Sequence, residues 1–219
     1  MKLFQSLRLL FAGSLCAIFV TAGLQARAAT ANPAANASAS TQKVVFAGGC
    51  FWGIEAVFES LKGVTSAVSG YSGGSAATAH YDIVSTGTTG HAESVEVTFD
   101  PAQISFQQLL EVFFLVAHDP TELNRQGPDD GTQYRSVVFY TSEEQKRDVQ
   151  SYIAQLTKQK TFGAPIVTQV VPLVAFYPAE AYHQHFASHN PYNPYIMIND
   201  APKLVHLHQQ FPTLVKSSS

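Results

Sequence analysis

A short apolar strand that runs into two glycines, and from there into a cysteine at the head of a helix, constrains this chain more than any other feature. Lys43 to Ala47 has strand character, Gly48-Gly49 breaks it, and a helix is predicted over Cys50 to Leu61. Ile54, Val57, Phe58 and Leu61 share one face of that helix, and Gly63 stops it. Such a start must bury the helix face against a sheet. It also puts Cys50 in the first helical turn, where unpaired N–H groups and the positive dipole end favour a thiolate. Without Cβ atoms, the glycines would let a substrate approach the backbone. Phe51 and Trp52, the only tryptophan, would form an apolar wall beside the sulfur. Spacing alone leaves a buried structural cysteine equally open.

The remaining pattern mixes strands and helices with short connections. Strands are predicted over Val64–Tyr71, over Glu93–Phe99, where Val95, Val97 and Phe99 alternate with polar residues, and over Arg135–Tyr140. Ser105 and Gln108 form a capping box for a helix carrying Leu109, Leu110, Phe113 and Phe114. Thr141 and Glu144 are read as the cap of a second helix, with Val149, Tyr152, Ile153 and Leu156 inward. Ile166–Phe176 should be extended and broken at Pro172, and Ala179–His189 should be a final helix. The expected class is α/β (α+β), a layered sandwich.

Composition and termini narrow the class. Charged residues make up 13% of the 219, against 46% hydrophobic, so the chain is sparsely charged yet too apolar to be disordered. Met1-Lys2, Arg8, an apolar run from Leu9 to Leu24 and Ala26-Arg27-Ala28 read as a cleavable signal peptide over residues 1–28. Residues 29–41 read as a flexible linker, 42–215 as the folded domain and 216–219 as a frayed tail. The expectation is therefore an exported protein, periplasmic or secreted, with no stable membrane association after cleavage. Cleavage would leave ten basic against sixteen acidic residues, net −6, and a single cysteine, Cys50. A net negative chain without a basic cluster disfavours nucleic acid, and two cysteines in all exclude a disulfide scaffold or a multi-cysteine zinc site.

Five ordered blocks then give the chain a family resemblance. They are Gly49-Cys50-Phe51-Trp52-Gly53; Tyr81-Asp82-Ile83-Val84 with Gly87 to Glu93; His118-Asp119-Pro120-Thr121 with Arg125-Gln126-Gly127; Asp129 with Gly131 to Ser136; and Tyr177-Pro178-Ala179-Glu180 with Tyr182-His183-Gln184. Together they resemble the methionine sulfoxide reductase A family, which reduces the S-epimer of methionine sulfoxide. The resemblance covers roughly Val44 to Tyr195. It implies a two-layer sandwich with a ferredoxin-like core, no cofactor, and action as a monomer on methionine sulfoxide, free or in oxidised proteins. It also implies Cys50 as nucleophile, Glu93 as acid, Tyr81 and Tyr134 as hydroxyl donors to the substrate oxygen, and Phe51 and Trp52 around the substrate methyl group. Asp129 would lie near the substrate backbone or an ordered water. A glutamic acid in that role must stay protonated near neutral pH, so the resemblance calls for an apolar pocket around it.

The chain departs from many family members in lacking a resolving cysteine. Ser85 stands where some carry one, and Asn190 to Ser219 contains none. An external thiol, either a small thiol or a thioredoxin-like or glutaredoxin-like partner, is then expected to resolve a Cys50 sulfenic acid. His183, His185 and His189 are not expected to hold a metal, because only the last two share a helical face. His206 and His208 are read as solvated, Asn190 to Tyr195 as a rigid wrap that could line the pocket, and Gly73-Gly74 and Gly87 as no phosphate loop. Two rival readings are a cysteine hydrolase, which would consume no reductant, and a non-enzymatic binder of methionine sulfoxide.

Overall fold

The computed structural model describes residues 41–217. The leader and the linker expected before them lie outside the described residues except for Thr41. In chain order the elements are β1 (Gln42–Ala47), α1 (Phe51–Glu59), β2 (Val64–Ser72), α2 (Tyr81–Val84), β3 (Ala92–Phe99) and α3 (Phe106–Val112). There follow β4 (Arg125–Gln126), β5 (Asp129–Asp130), β6 (Val137–Tyr140), α4 (Glu143–Gln159), β7 (Gln169–Pro172), β8 (Phe176–Pro178), α5 (Phe186–His189) and α6 (Ala201–Gln210). Wider helical turns of five residues extend α3 at Phe113–Ala117 and precede α6 at Ile196–Asp200.

The large sheet has the order β7-β6-β1-β3-β2-β8. Its four central strands, β6-β1-β3-β2, are antiparallel throughout, with α1 crossing from β1 to β2. That is the ferredoxin-like split β-α-β arrangement, in a mixed α+β fold. β7 adds parallel to β6 and β8 antiparallel to β2. Val44 and Phe46 face the main core, with α1, α3 and α4, while Val45 and Ala47 face a second cluster with Val137, Phe139, Val171 and Phe176. From Val44 to Ala47 β1 is a continuous apolar run because both of its faces are buried there. Phe46 stacks between Phe58 of α1 and Phe113, at centroid distances of 4.8 and 4.6 Å.

The extended segment around Pro172 is two strands on opposite edges of the sheet, not one interrupted strand. From Pro172 to Phe176 the chain can reach at most about 14 Å. A flat sheet would place those edges roughly 24 Å apart. The sheet therefore curls until its edges approach, and Leu173 and Phe176 plug the hollow side.

Three local expectations need correcting. α4 is capped by Ser142, whose Oγ accepts from Gln145 N at 3.2 Å, while the Thr141 hydroxyl donates to Lys43 O at 3.0 Å. The predicted helix Ala179–His189 is broken: a short turn at Ala181–His183 and the four residues of α5 flank His185, which has φ = 54°. Glu180 bonds Tyr71 and Tyr81, and Gln184 bonds the backbone of Ser69, so both side chains are spent on the sheet and α2. Finally, the tail is held one residue further than expected, since Lys216 N donates to Ser60 O and its Nζ to Glu59 O. No helix among the described residues is long and apolar enough to cross a membrane.

Phe46→Ala removes a ring stacked on two others at the centre of the main core. It should lower the free energy of unfolding by about 3–5 kcal/mol in denaturant titration.

Candidate active site

All seven residues singled out from sequence line one cavity of about 330 Å³, together with Asn193 and Tyr195. Cys50 stands at the N-cap of α1, 9% exposed, and its sulfur makes no capping hydrogen bond to the helix. The next residue's N–H, that of Phe51, donates to Glu93 Oε2 at 3.1 Å. Glu93 is the second residue of β3 and lies opposite Tyr71 of β2. Tyr81 comes from α2, Tyr134 from the turn at Thr132–Tyr134 and Asp129 from the small hairpin of β4 and β5.

The two glycines before Cys50 serve the protein rather than an incoming substrate. A Cβ on Gly48 would meet the His118 ring at 2.7 Å, and one on Gly49 would meet Gln126 at 2.6 Å. Gly49 also needs φ = 101°, a conformation that glycine supplies at no steric cost, and its N–H bonds Tyr134 O at 3.0 Å. The turn is thus clamped between β1 and the Tyr134 turn, which fixes where the sulfur points. His118 is buried between Phe113 O and Ser136 Oγ, and burial pulls its pKa down to about 4, so it packs there neutral.

Burial decides the electrostatics. Cys50 is pushed well above the ordinary thiol range by burial first and then by the Glu93 and Asp200 carboxylates; the Trp52 N–H opposes this and does not win. The sequence expectation of a thiolate favoured by the helix start is therefore reversed in the resting site. Desolvation of the sulfur outweighs one backbone donor. Burial likewise pushes Glu93 up to about 8, against the Phe51 N–H and with help from Asp129. Near neutral pH the carboxyl group holds its proton. Tyr134 and Tyr81 are also raised, chiefly by burial and then by Glu93, so both hydroxyls keep their protons and can donate.

Several residues that hold the walls carried no signal of their own. Trp52 Nε1 donates to His183 Nδ1 at 3.1 Å, and Phe186 stacks on the indole at 3.8 Å. The His183 ring also lies 5.0 Å from Phe51 and 4.4 Å from Tyr81. Glu180 accepts from Tyr71 Oη at 2.8 Å and from Tyr81 N at 3.0 Å, tying α2 to the sheet. The Tyr195 hydroxyl donates to Asp129 Oδ2. His91 Nδ1 accepts from Gly74 N and its Nε2 meets Ser75 O, which places it in loop support. Outside the cavity, Glu55, Glu59 and His185 gather three donor atoms within 4.8 Å. Glu59 is already partnered by His185 Nδ1, and Glu55 Oε2 accepts His185 N–H at 2.9 Å, so the trio ties α1 to the residues before α5.

A buried thiol and a buried protonated carboxyl opening into one aromatic cavity define a thiol-centred site on a ferredoxin-like core. Comparison with known proteins gives that class a family. The sequence profile of the family described as Peptide methionine sulfoxide reductase matches residues 42–214. The chain is 55% identical over 178 residues to peptide methionine sulfoxide reductase MsrA 2 of Mesorhizobium japonicum, covering 81% of this chain and 91% of that protein. It is 52% identical over 188 residues to the MsrA 2 of Synechocystis sp., covering 86% and 88%. Among solved structures it is similar to reduced Mxr1 from Saccharomyces cerevisiae, with a TM-score of 0.67 and 33% identity over 71% of this chain and 89% of that one. Methionine sulfoxide reductase A of Corynebacterium diphtheriae gives a TM-score of 0.62 and 34% identity over 70% and 78%. The chain belongs to the peptide methionine sulfoxide reductase family, of the MsrA kind, and is an oxidoreductase.

Glu93 generates a pH prediction for stability. Its folded pKa of about 8 lies above the ordinary 4.5, so the folded state binds the extra proton between those values and loses stability as pH rises through them. Glu93→Gln should flatten this decline and raise Tm relative to the parent at pH 8 while changing it little at pH 4, as thermal unfolding across pH will show.

Proposed function

We propose that the chain reduces methionine-S-sulfoxide to methionine, free and in proteins, by attack of Cys50 on the sulfoxide sulfur with Glu93 as acid. The observation that carries this reading is that Cys50 and the protonated Glu93 open into one cavity at the head of the same helix, where the Phe51 N–H next to Cys50 donates to Glu93. The sulfoxide oxygen is a poor leaving group and needs a proton as the sulfur is attacked. Glu93 supplies it at the oxygen, and Tyr81 and Tyr134 donate hydrogen bonds to the charge that grows there. The proton leaving Cys50 need not create two negative charges at once. With Glu93 protonated, the thiolate faces a neutral neighbour, and the pair titrates as a unit. Phe51 and Trp52 enclose the methyl group, and their shape selects the epimer. Asp129, held by Tyr195, faces the substrate's backbone side.

The exchange balances as Cys–SH plus sulfoxide giving Cys–SOH plus methionine: the cysteine sulfur loses two electrons and the sulfoxide sulfur gains them. A first external thiol then forms a mixed disulfide with Cys50 and releases water, and a second thiol restores Cys50 and leaves as the disulfide. Cys50 is the sole cysteine after residue 28, which supports an external reductant. A small thiol or a thioredoxin-like or glutaredoxin-like partner fits this step. The apolar leader and its A-x-A pattern support export and repair of oxidised proteins outside the cytoplasm, with the mature domain acting as a soluble monomer.

Cys50→Ser should abolish turnover in an epimer-resolved assay, and the parent should act on the S-epimer alone. Incubated with substrate and no reductant, the protein should gain one oxygen on Cys50 by peptide mass; a two-hydrogen loss would rule out external resolution. The kcat should fall as pH rises through about 8, where Glu93 gives up its proton.

A further inference from the structure

Asp200 occupies the N-cap position of α6, yet its side chain caps nothing on that helix. It is 1% exposed and turned toward α1, and a Cβ built on Gly53 would lie 2.1 Å from its Oδ1. Lys203, one turn further along α6, pairs with Oδ1 at 3.1 Å and would lie 2.8 Å from the same Cβ. The pair is therefore seated on the first turn of the helix that begins at Cys50, in space that only a glycine at position 53 leaves open. Asp200 Oδ2 has no protein hydrogen-bond partner. A buried carboxylate with one oxygen unpartnered is costly unless its charge is used or cancelled.

Two carboxyl groups, Glu93 of β3 and Asp129 of β5, share the cavity with Cys50, and a third, Asp200, packs against Gly53 in the first turn of the same helix. Tyr81, Tyr134 and Tyr195 line the same cavity. Any thiolate formed there meets the field of Asp200, and the field of Lys203 reaches both Asp200 and Asp129. We propose that Asp200 and Lys203 are a positioning pair that sets the charge presented to Cys50, the ammonium cancelling the carboxylate so that the thiol can ionise when substrate arrives. Neither residue touches the reacting atoms. The inference rests on Cys50 as the nucleophile.

The test measures how fast iodoacetamide alkylates Cys50 in the full chain across pH, read by peptide mass spectrometry. Asp200→Asn removes the carboxylate and leaves the ammonium, so the alkylation midpoint should fall by about one pH unit. Lys203→Met leaves the carboxylate bare, so the midpoint should rise by a similar amount. The double variant restores neutrality and should return close to the parent, and Lys203→Arg should hold the parent midpoint. A loosened helix would instead move both single variants the same way. That result, no movement in either, or a double variant that stays with one single, overturns the inference. If Lys203→Met fails to fold, Asp200→Asn against Lys203→Arg carries the same comparison. Alkylation reads only the surroundings of Cys50, so its failure is distinct from failure of the nucleophile assignment, which turnover by Cys50→Ser reads.

Discussion

The hydrogen bond from Phe51 N to Glu93 Oε2 is the interaction on which the rest of the site depends. It joins the first turn of α1 to the start of β3, and it holds a buried carboxyl group where a charge is poorly solvated. Everything chemical about the cavity follows from that burial. Glu93 keeps a proton near neutrality and Cys50 is held as a thiol until its surroundings change. One group is set to give a proton and the other to become a nucleophile, and burial disfavours the charged form of both.

The fold delivers this contact through topology. The split β-α-β core sets β1 antiparallel beside β3, so the loop leaving β1 and the start of β3 meet at the same rim of the sheet. Curling of the sheet carries β8 to the edge beside β2, and with it Glu180 and His183. These residues then brace Tyr81 and Trp52, which stand on separate elements. The C-terminal segment closes the remaining side with Tyr195 against Asp129 and the Asp200–Lys203 pair against Gly53. The cavity is shared by five stretches of chain, and its rigidity comes from hydrogen bonds between them.

Much of the scaffold was legible because periodicity reports burial. β1, α1, β3 and the capping box of α3 were readable from apolar spacing and one local cap. α5 and α6 were not, for different reasons. Ala179 to His189 has helical residues, yet Glu180 and Gln184 spend their side chains on the sheet and break the run. The C-terminal helix has a single fully buried residue, Leu207, so its apolar stripe is too thin to announce itself.

Cys50, Phe51 and Trp52 could be placed together at the head of a helix from sequence, because a strand, a turn and a helix start leave one geometry for them, but spacing did not separate a reactive cysteine from a structural one. Glu93, Tyr81, Tyr134 and Asp129 could be named only through resemblance, since nothing local in their spacing distinguishes a proton donor from an ordinary polar residue. What tertiary structure alone decided is the protonation of the site and the work of its glycines. Gly48, Gly49 and Gly53 make room for His118, Gln126 and Asp200, partners between roughly 70 and 150 residues away in the chain. A pKa likewise belongs to an environment: the same cysteine at the same helix start would favour its thiolate in water and favours its proton here, because desolvation depends on what the distant chain packs around it.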